Sequence, residues 1–347
     1  MTKIMTKTLL LSLIISLFGC QNNEDIDTYL NERYEKGQLN GNVLVTKDGK
    51  TLYEKSFGYA DGSKNTRLTK DYRFNIGSIY KEFPAVSIMQ LQEKNLINLD
   101  DKISKYIPEL PKWSERITVQ NLLQYSSGLP TIGWDVYFNK GINVNDSHIM
   151  EEIKSVENLE FEPGSDYLYS NSNPILLIKI IENITNTTFN QYLQEHIFIP
   201  YGMENTIIKE QYPYEDKTLM AIPFGGDFKE DDYKLSAKSL LFSSTATDLV
   251  NWFEKLGNFE IVNKQSLKKL SEQAKKGDNV QSPLGYSEWV NNKVVEHSHH
   301  GSTANYECIA RRFKQDKITI VILTNQKHQN VFDISDEIYE IVIQTNK

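Results

Sequence analysis

The stretch RFNIGSIYKEF, residues 73–83, places Ser78 and Lys81 three positions apart, directly after Gly77. At the start of a helix this spacing puts both side chains on one face, so the hydroxyl and the amine can touch. A serine hydroxyl is a weak nucleophile that needs a base, and a lysine serves as one only when it is partly deprotonated. The apolar residues on either side predict a buried setting, which favours the uncharged amine. The stretch therefore predicts Ser78 as a nucleophile and Lys81 as its base.

The same S-x-x-K spacing occurs a second time, at Ser266 and Lys269. That pair lies in NKQSLKKLSEQAKKG, residues 263–277, whose many charges are typical of an exposed helix. No apolar segment surrounds this serine as one surrounds Ser78. The spacing alone decides nothing, and the setting favours Ser78.

Composition and charge narrow the class of protein. The chain has 347 residues, of which 39% are hydrophobic and 24% charged, as in an ordinary globular domain. Its formal net charge is −8, and no cluster of lysines and arginines stands out. Because nucleic-acid binding requires a basic surface, nucleic acid is not predicted as a partner.

The first twenty residues differ from the rest. Lys3 and Lys7 precede an apolar run, residues 9–18, that is too short for a permanent membrane span and is typical of a secretory signal. The ending LFGC resembles the lipobox of bacterial lipoproteins, which implies lipidation of Cys20. The sequence thus predicts an exported, membrane-anchored lipoprotein facing the periplasm or the cell surface. Cys308, in the alternating run NYECIARRF, is predicted to be a buried structural cysteine.

The order of strand and helix patterns predicts the architecture. Alternating apolar and polar residues around the Asp-Gly turn of KDGK indicate a hairpin, and strands return near the end of the chain. Helical periodicity dominates between them. An antiparallel sheet built from both ends, with a helical lobe inserted, fits this α/β order. The predicted segments are a signal peptide (1–19), a tether and first helix (20–40), and one domain (41–347), with sheet from 41–75 and 285–347 and helical lobe from 76–284.

Three motifs in order resemble one family. FNIGSIYKEF, FEPGSDYLYSNS (161–172) and HSHHGSTANY (297–306) are similar to the nucleophile, second and third motifs of the serine β-lactamase and DD-peptidase family, in its class C-like branch. The resemblance implies the β-lactamase/transpeptidase-like fold, with a cleft between the sheet lobe and the helical lobe. It also implies a serine acyl hydrolase that forms a covalent acyl-enzyme on a small-molecule or peptide substrate, without a cofactor or a metal.

The second motif, Tyr-x-Asn, fits three places by its letters alone: 29–31, 137–139 and 169–171. Only the third has the flanking sequence of the family motif. The resemblance therefore implies that Tyr169 relays the proton and that Asn171 faces Lys81 and the substrate. A hydrogen-bonded core tyrosine is the alternative for Tyr169.

The third motif reads His299-His300-Gly301, since no Lys-Thr-Gly occurs in the chain. The resemblance implies that the amides of Ser302 and Ser78 form the oxyanion hole and that Gly301 lets the substrate approach the strand. On a strand His297 and His299 share one face, which offers at most two metal ligands, so no zinc site is predicted. A mostly neutral His299 in place of lysine would hold a carboxylate weakly. We therefore expect esters or D-alanyl peptides to be better substrates than β-lactams, and a non-catalytic penicillin- or peptide-binding protein is the alternative.

Overall fold

The computed structural model describes residues 18–277 and 279–344, with side chains from residue 25 onward. Most of the predicted signal peptide and the side chain of Cys20 lie outside the described residues. The ten α-helices of the described part are α1 (Phe18–Glu35), α2 (Glu82–Glu93), α3 (Val119–Leu123), α4 (Trp134–Asn139), α5 (Asp146–Ser155), α6 (Ser172–Thr185), α7 (Phe189–Leu193), α8 (Ala246–Gly257), α9 (Lys264–Leu270) and α10 (Val331–Gln344). Short 3-10 turns occupy Gly77–Lys81, Ile103–Lys105, Lys112–Glu115 and Lys238–Leu240, and a π turn occupies Gln194–Phe198.

The strands form one large sheet and two small ones. The strands are β1 (Gly41–Lys47), β2 (Lys50–Phe57), β3 (Phe74–Asn75), β4 (Val144–Asn145), β5 (Ile207–Ile208), β6 (Leu235–Ser236), β7 (Phe242–Ser244), β8 (Tyr286–Val290), β9 (Lys293–Thr303), β10 (Tyr306–Phe313) and β11 (Ile318–Thr324). The large sheet is antiparallel throughout, in the order β2-β1-β11-β10-β9-β8. It joins both ends of the chain, which confirms the predicted fold class.

The sequence predicted that residues 41–75 all belong to the large sheet, but in the structure only β1 and β2 of this range do. After β2 the chain leaves it, and β3 pairs instead with β7 in a separate three-stranded sheet, β3-β7-β5. This short pairing brings residues 74–75, just before Ser78, against a strand of the helix-rich segment. The nucleophile segment therefore starts at the junction between the two lobes.

Both faces of the large sheet are buried at its central strands. Along β11 the side chains alternate, with Val321 and Leu323 in the core of the helical lobe and Ile320 and Ile322 in a second core. Successive side chains of a strand point to opposite faces, so a strand covered on both sides is apolar almost throughout. The sequence ITIVILT of β11 has this property, and all seven residues are buried.

Helices α1 and α10 cover the outer face of the sheet. Ile26 and Leu30 of α1 are fully buried in the second core, together with Ile334 and Ile338 of α10. The folded domain therefore includes the first helix from about Ile26 onward. Among the helices of the described residues, none combines the length and the apolar character that crossing a membrane requires.

Candidate active site

Ser78 and Lys81 lie on a 3-10 turn that leads directly into α2. Residues three apart eclipse each other on such a turn. The Lys81 Nζ donates a hydrogen bond of 2.9 Å to Ser78 Oγ. Lys81 is only 4% exposed, whereas Ser78 is partly exposed and lines a cleft. The pair thus has the contact and the access that a nucleophile and its base require.

The second S-x-x-K pair is arranged differently. Ser266 lies in α9 and is buried, so the predicted exposure of this helix is wrong at the serine. Lys269 pairs with Glu272 at 2.7 Å instead of reaching the serine. Neither Ser266 nor Lys269 lines the cleft that contains Ser78.

Strand β9 runs directly against the nucleophile turn. A Cβ atom placed on Gly77 would lie 2.3 Å from the backbone nitrogen of Ser302. Gly77 also has a φ of +49°, which glycine adopts without the steric cost that other residues meet. The structure therefore brings the Ser302 amide beside the turn that carries Ser78, where two oxyanion-hole donors would have to lie.

Tyr169 and Asn171 complete the polar part of the cleft. The Lys81 Nζ lies 5.0 Å from the centroid of the Tyr169 ring, which packs on Tyr125 at 4.9 Å. Asn171 immediately precedes α6, and its Oδ1 is buried without a hydrogen-bond partner among the described residues. Tyr29 and Tyr137, of the other two Tyr-x-Asn sequences, do not line this cleft.

The cleft has a volume of about 440 Å³, and its remaining walls are largely apolar. The other residues that line the cleft are Tyr80, Trp134, Phe138, Tyr233, Leu235, Leu240, Thr303 and Ala304. Another cavity, of about 610 Å³, lies beside α5 and α6, but none of the predicted site residues line it. The chemistry of the predicted motifs therefore belongs to the smaller cavity.

The structure places His299 in a different position from the predicted one. Its side chain is 4% exposed and does not line the cleft. Its Nδ1 lies 2.7 Å from Glu82 Oε1, the same oxygen that His297 Nε2 approaches at 2.9 Å. The prediction that the His299 side chain contacts the substrate carboxylate is therefore wrong, because Glu82 holds the ring inside the protein.

Glu82 is a fully buried carboxylate with three donors. Besides the two histidines, Trp252 Nε1 donates to its Oε2 at 2.6 Å. Burial alone would raise the pKa of Glu82, but His297 and His299 more than offset this effect and lower the pKa to about 2. Burial lowers the pKa of His299, although Glu82 acts in the opposite direction. Among the described residues, no group of three or more His, Cys, Asp or Glu side chains is arranged to hold a metal ion.

Two charged residues of this region were not predicted. Glu82 stands beside Lys81 in an apolar helix, and an acid at such a position is itself a signal of a buried partner. Lys327 follows β11 and donates to Ser302 Oγ at 2.7 Å. No sequence pattern links Lys327 to Ser302, since they meet only through the pairing of β9, β10 and β11.

Cys308 is buried in β10, which confirms the structural role predicted for it. Its Sγ lies 3.1 Å from the carbonyl oxygen of Ile76, and burial raises its pKa. A thiol in this state is a poor nucleophile.

Residues 26–344 match the family described as Beta-lactamase, so the chain belongs to that family. Membership is consistent with the serine hydrolase class that the sequence predicted. Protein flp of Staphylococcus aureus (strain MW2) is 27% identical over 327 residues, which cover 89% of this chain and 64% of flp. Penicillin-binding protein 4* of Bacillus subtilis (strain 168) is 25% identical over 324 residues, which cover 86% of this chain and 71% of that protein. The chain thus spans slightly less than two thirds of the length of flp.

Solved structures show the same fold. The D-amino acid amidase from Ochrobactrum anthropi SV3 complexed with L-phenylalanine amide superposes with a TM-score of 0.77 at 20% identity, over 94% of this chain and 100% of the amidase. A class C beta-lactamase mutant superposes with a TM-score of 0.74 at 18% identity, over 93% and 97% of the two chains. At these identities the likeness establishes the fold, and the activity of this chain has to be argued from its own site.

Proposed function

We propose that the protein is a serine acyl hydrolase that forms a covalent acyl-enzyme on Ser78. The observation that carries the proposal is the 2.9 Å hydrogen bond between Lys81 Nζ and Ser78 Oγ in an accessible cleft. The nearby Ser302 amide supports an oxyanion hole formed with the Ser78 amide. Family membership supports the same reaction class.

The proposed reaction has two halves. The neutral Lys81 amine takes the Ser78 proton while Oγ bonds to the substrate carbonyl carbon, and the two amides stabilise the oxyanion. When the bond to the leaving group breaks, the proton passes to that group through Lys81 and Tyr169, which leaves an acyl ester on Ser78. Water then attacks this ester, the acid is released, and Ser78 recovers its proton.

Covalent labelling tests this proposal. A fluorophosphonate probe should add to the folded protein once, and peptide mass spectrometry should find the adduct on Ser78. Ser78→Ala should abolish the labelling, whereas Ser266→Ala, in the other S-x-x-K pair, should leave it unchanged. Equal labelling of wild-type protein and Ser78→Ala would exclude Ser78 as the nucleophile.

We propose amides or esters as the substrate class, of the D-amino-acid peptidase, DD-carboxypeptidase or esterase type. The apolar walls of the cleft, including Trp134 and Phe138, support an acyl or leaving group with an apolar side chain. A comparison of rates on p-nitrophenyl acetate, a D-Ala-D-Ala peptide and nitrocefin ranks the candidates. Efficient hydrolysis of nitrocefin, with the other two near background, would make the protein a β-lactamase instead.

A non-catalytic penicillin- or peptide-binding protein is the second candidate, and a curated relative named as a penicillin-binding protein favours it. The non-catalytic protein releases no product from any ester or peptide, whereas the enzyme turns over at least one of them. A penicillin adduct that persists for hours, together with no turnover of esters or peptides, would favour the binding protein.

We also propose that the protein is exported and anchored to the membrane by lipid on Cys20. The charged start, the short apolar run and the sequence LFGC support this proposal. Two acyl chains give stable attachment, where one is marginal. Cys20→Ser should therefore yield soluble or unprocessed protein in fractionated cells. Cleaved Cys20→Ser protein that stays in the membrane fraction would contradict lipid anchoring.

A further inference from the structure

We propose that Glu82 is a positioning residue. Its carboxylate fixes His299 in the neutral form that carries the proton on Nδ1. Through this contact it also holds β9, the strand that supplies the Ser302 amide, against the nucleophile turn. This inference rests on the proposed function, because it assigns a role in the same reaction. Glu82 does not line the cleft, so it would act only through the residues that it holds.

The contacts of Glu82 connect three elements around the site. The residue begins α2 directly after Lys81, while His297 and His299 belong to β9 and Trp252 belongs to α8. The side chains of Glu82 and its three partners are all buried, with exposed fractions from 0% to 4%. The carboxylate therefore ties the helix that follows the nucleophile turn to the strand beside that turn.

Strand β9 is the element through which Glu82 reaches the reacting atoms. Ser302 follows His299 by three positions on this strand. The backbone nitrogen of Ser302 lies beside Gly77 of the nucleophile turn, since a Cβ atom placed on Gly77 would be 2.3 Å from it. A shift of β9 would therefore move an oxyanion donor relative to Ser78.

The hydrogen bonds determine the state of the His299 ring. An ionised carboxylate only accepts hydrogen bonds, so the 2.7 Å contact with Glu82 Oε1 requires a proton on His299 Nδ1. The other ring nitrogen, Nε2, is buried and has no hydrogen-bond partner among the described residues. A proton there would be a buried, unsatisfied donor on a charged ring, which is costly. Burial lowers the pKa of His299 most strongly, while the hydrogen bond and the charge of Glu82 act in the opposite direction.

The charged groups around the network are few. Glu82 and His297 face the His299 ring, and Lys81 is the nearby titratable group on the nucleophile turn. Tyr125 also interacts electrostatically with Glu82. A neutral His299 adds no positive charge of its own beside Lys81 when Lys81 takes the proton from Ser78.

The test compares Glu82→Gln with Trp252→Phe. An indole N–H only donates, so the glutamine oxygen should face Trp252 and its NH₂ group should face the histidines. His299 can accept from that NH₂ group only through an unprotonated Nδ1. Trp252→Phe removes a different hydrogen bond to the same carboxylate and leaves both histidine contacts in place. The measurements are the ¹⁵N NMR spectrum of labelled histidines, assigned with His299→Asn, the rate of fluorophosphonate labelling, and the melting temperature.

We expect His299 of the wild-type protein to be neutral and protonated on Nδ1 at neutral pH. Glu82→Gln should move the proton to Nε2 and slow labelling of Ser78 on the order of 10²-fold, since small displacements of reacting groups have effects of that size. Trp252→Phe should keep the tautomer, and its labelling rate should stay within about threefold of the wild-type rate. This should hold even if its melting temperature falls as far as that of Glu82→Gln. Labelling by Glu82→Gln within about threefold of wild type, or equal slowing in both variants, would overturn the proposal.

The NMR measurement on wild-type protein keeps the proposal testable if Glu82→Gln does not fold. A wild-type His299 that carries its proton on Nε2, or on both nitrogens, at neutral pH would overturn it without any variant. The proposed function fails separately, if wild-type Ser78 takes up no probe at all.

Discussion

Gly301 lies so close to Ile76 that a Cβ atom at position 301 would be 2.0 Å from the Ile76 carbonyl oxygen. Backbone atoms on both sides form this contact, so no flexible side chain can move to relieve a clash. The close approach is what brings the start of the nucleophile turn and the end of β9 together. Gly301 therefore serves the packing of the site; it does not line the cleft, so the prediction that it admits the substrate to the strand is wrong.

Gly301→Ala should consequently damage both stability and activity. Overpacking of this kind costs about 1–3 kcal/mol, and relief requires β9 to move away from the turn that carries Ser78. We expect a lower melting temperature and labelling of Ser78 slower by at least about tenfold, as an oxyanion donor is displaced. Gly226→Ala is the control, because a Cβ atom at that exposed position meets no atom within 4 Å. Equal behaviour of the two variants would contradict the role of the contact.

Lys81 and Tyr169 should act as a unit. Lys81→Ala and Tyr169→Phe should each remove most turnover, because either change interrupts the same proton path between Ser78 and the leaving group. The double variant should then lose little more than the worse single variant, since residues that act together give non-additive losses. Steady-state kinetics on an activated ester measures all three, with circular dichroism to confirm folding. Losses that multiply in full would indicate two independent roles.

The order of strand and helix patterns predicted the antiparallel sheet and the inserted helical lobe, and the family resemblance implied the particular fold. The contact between Ser78 and Lys81 followed from their spacing at the start of a helix. The sequence was insufficient for His299, whose neighbour Glu82 is distant in sequence by 217 positions. A motif identifies which strand lines a cleft, but the direction of a side chain depends on what is buried beside it. The contact between Lys327 and Ser302 was missed for the same reason.

Acid should destabilise the protein through Glu82. Its pKa falls from an ordinary value of 4.5 to about 2 on folding, so its stabilising effect is complete above pH 4.5 and is lost as the pH falls towards 2. The difference corresponds to about 3 kcal/mol in the free energy of unfolding. The lowered pKa of His299 acts in the same direction, beginning as the pH falls through about 6.5. Urea unfolding between about pH 7 and pH 3 should show a smaller decrease for Glu82→Gln, and parallel decreases would contradict this assignment.

Lys327 does not itself line the cleft, but it contacts a residue that does. Its Nζ donates to Ser302 Oγ at 2.7 Å, and Ser302 lines the cleft. The side chain forms no ion pair with a carboxylate of the described residues, although Glu307 interacts with it electrostatically. An ammonium has three donors, so it can bind a substrate carboxylate while keeping the serine contact. We therefore expect Lys327 to add positive charge on the Ser302 side of the cleft, through its contact with Ser302.

Lys327→Ala should raise KM for a D-Ala-D-Ala peptide and leave KM for p-nitrophenyl acetate unchanged, because only the peptide carries a carboxylate. Hydrogen bonds to charged groups contribute about 1.5–3 kcal/mol, so the expected rise is about 10-fold or more. Lys293→Ala, at an exposed position on β9, is the matched control and should affect neither substrate. An equal rise of KM for the neutral ester and the peptide would show that Lys327 supports the shape of the cleft and does not recognise the carboxylate.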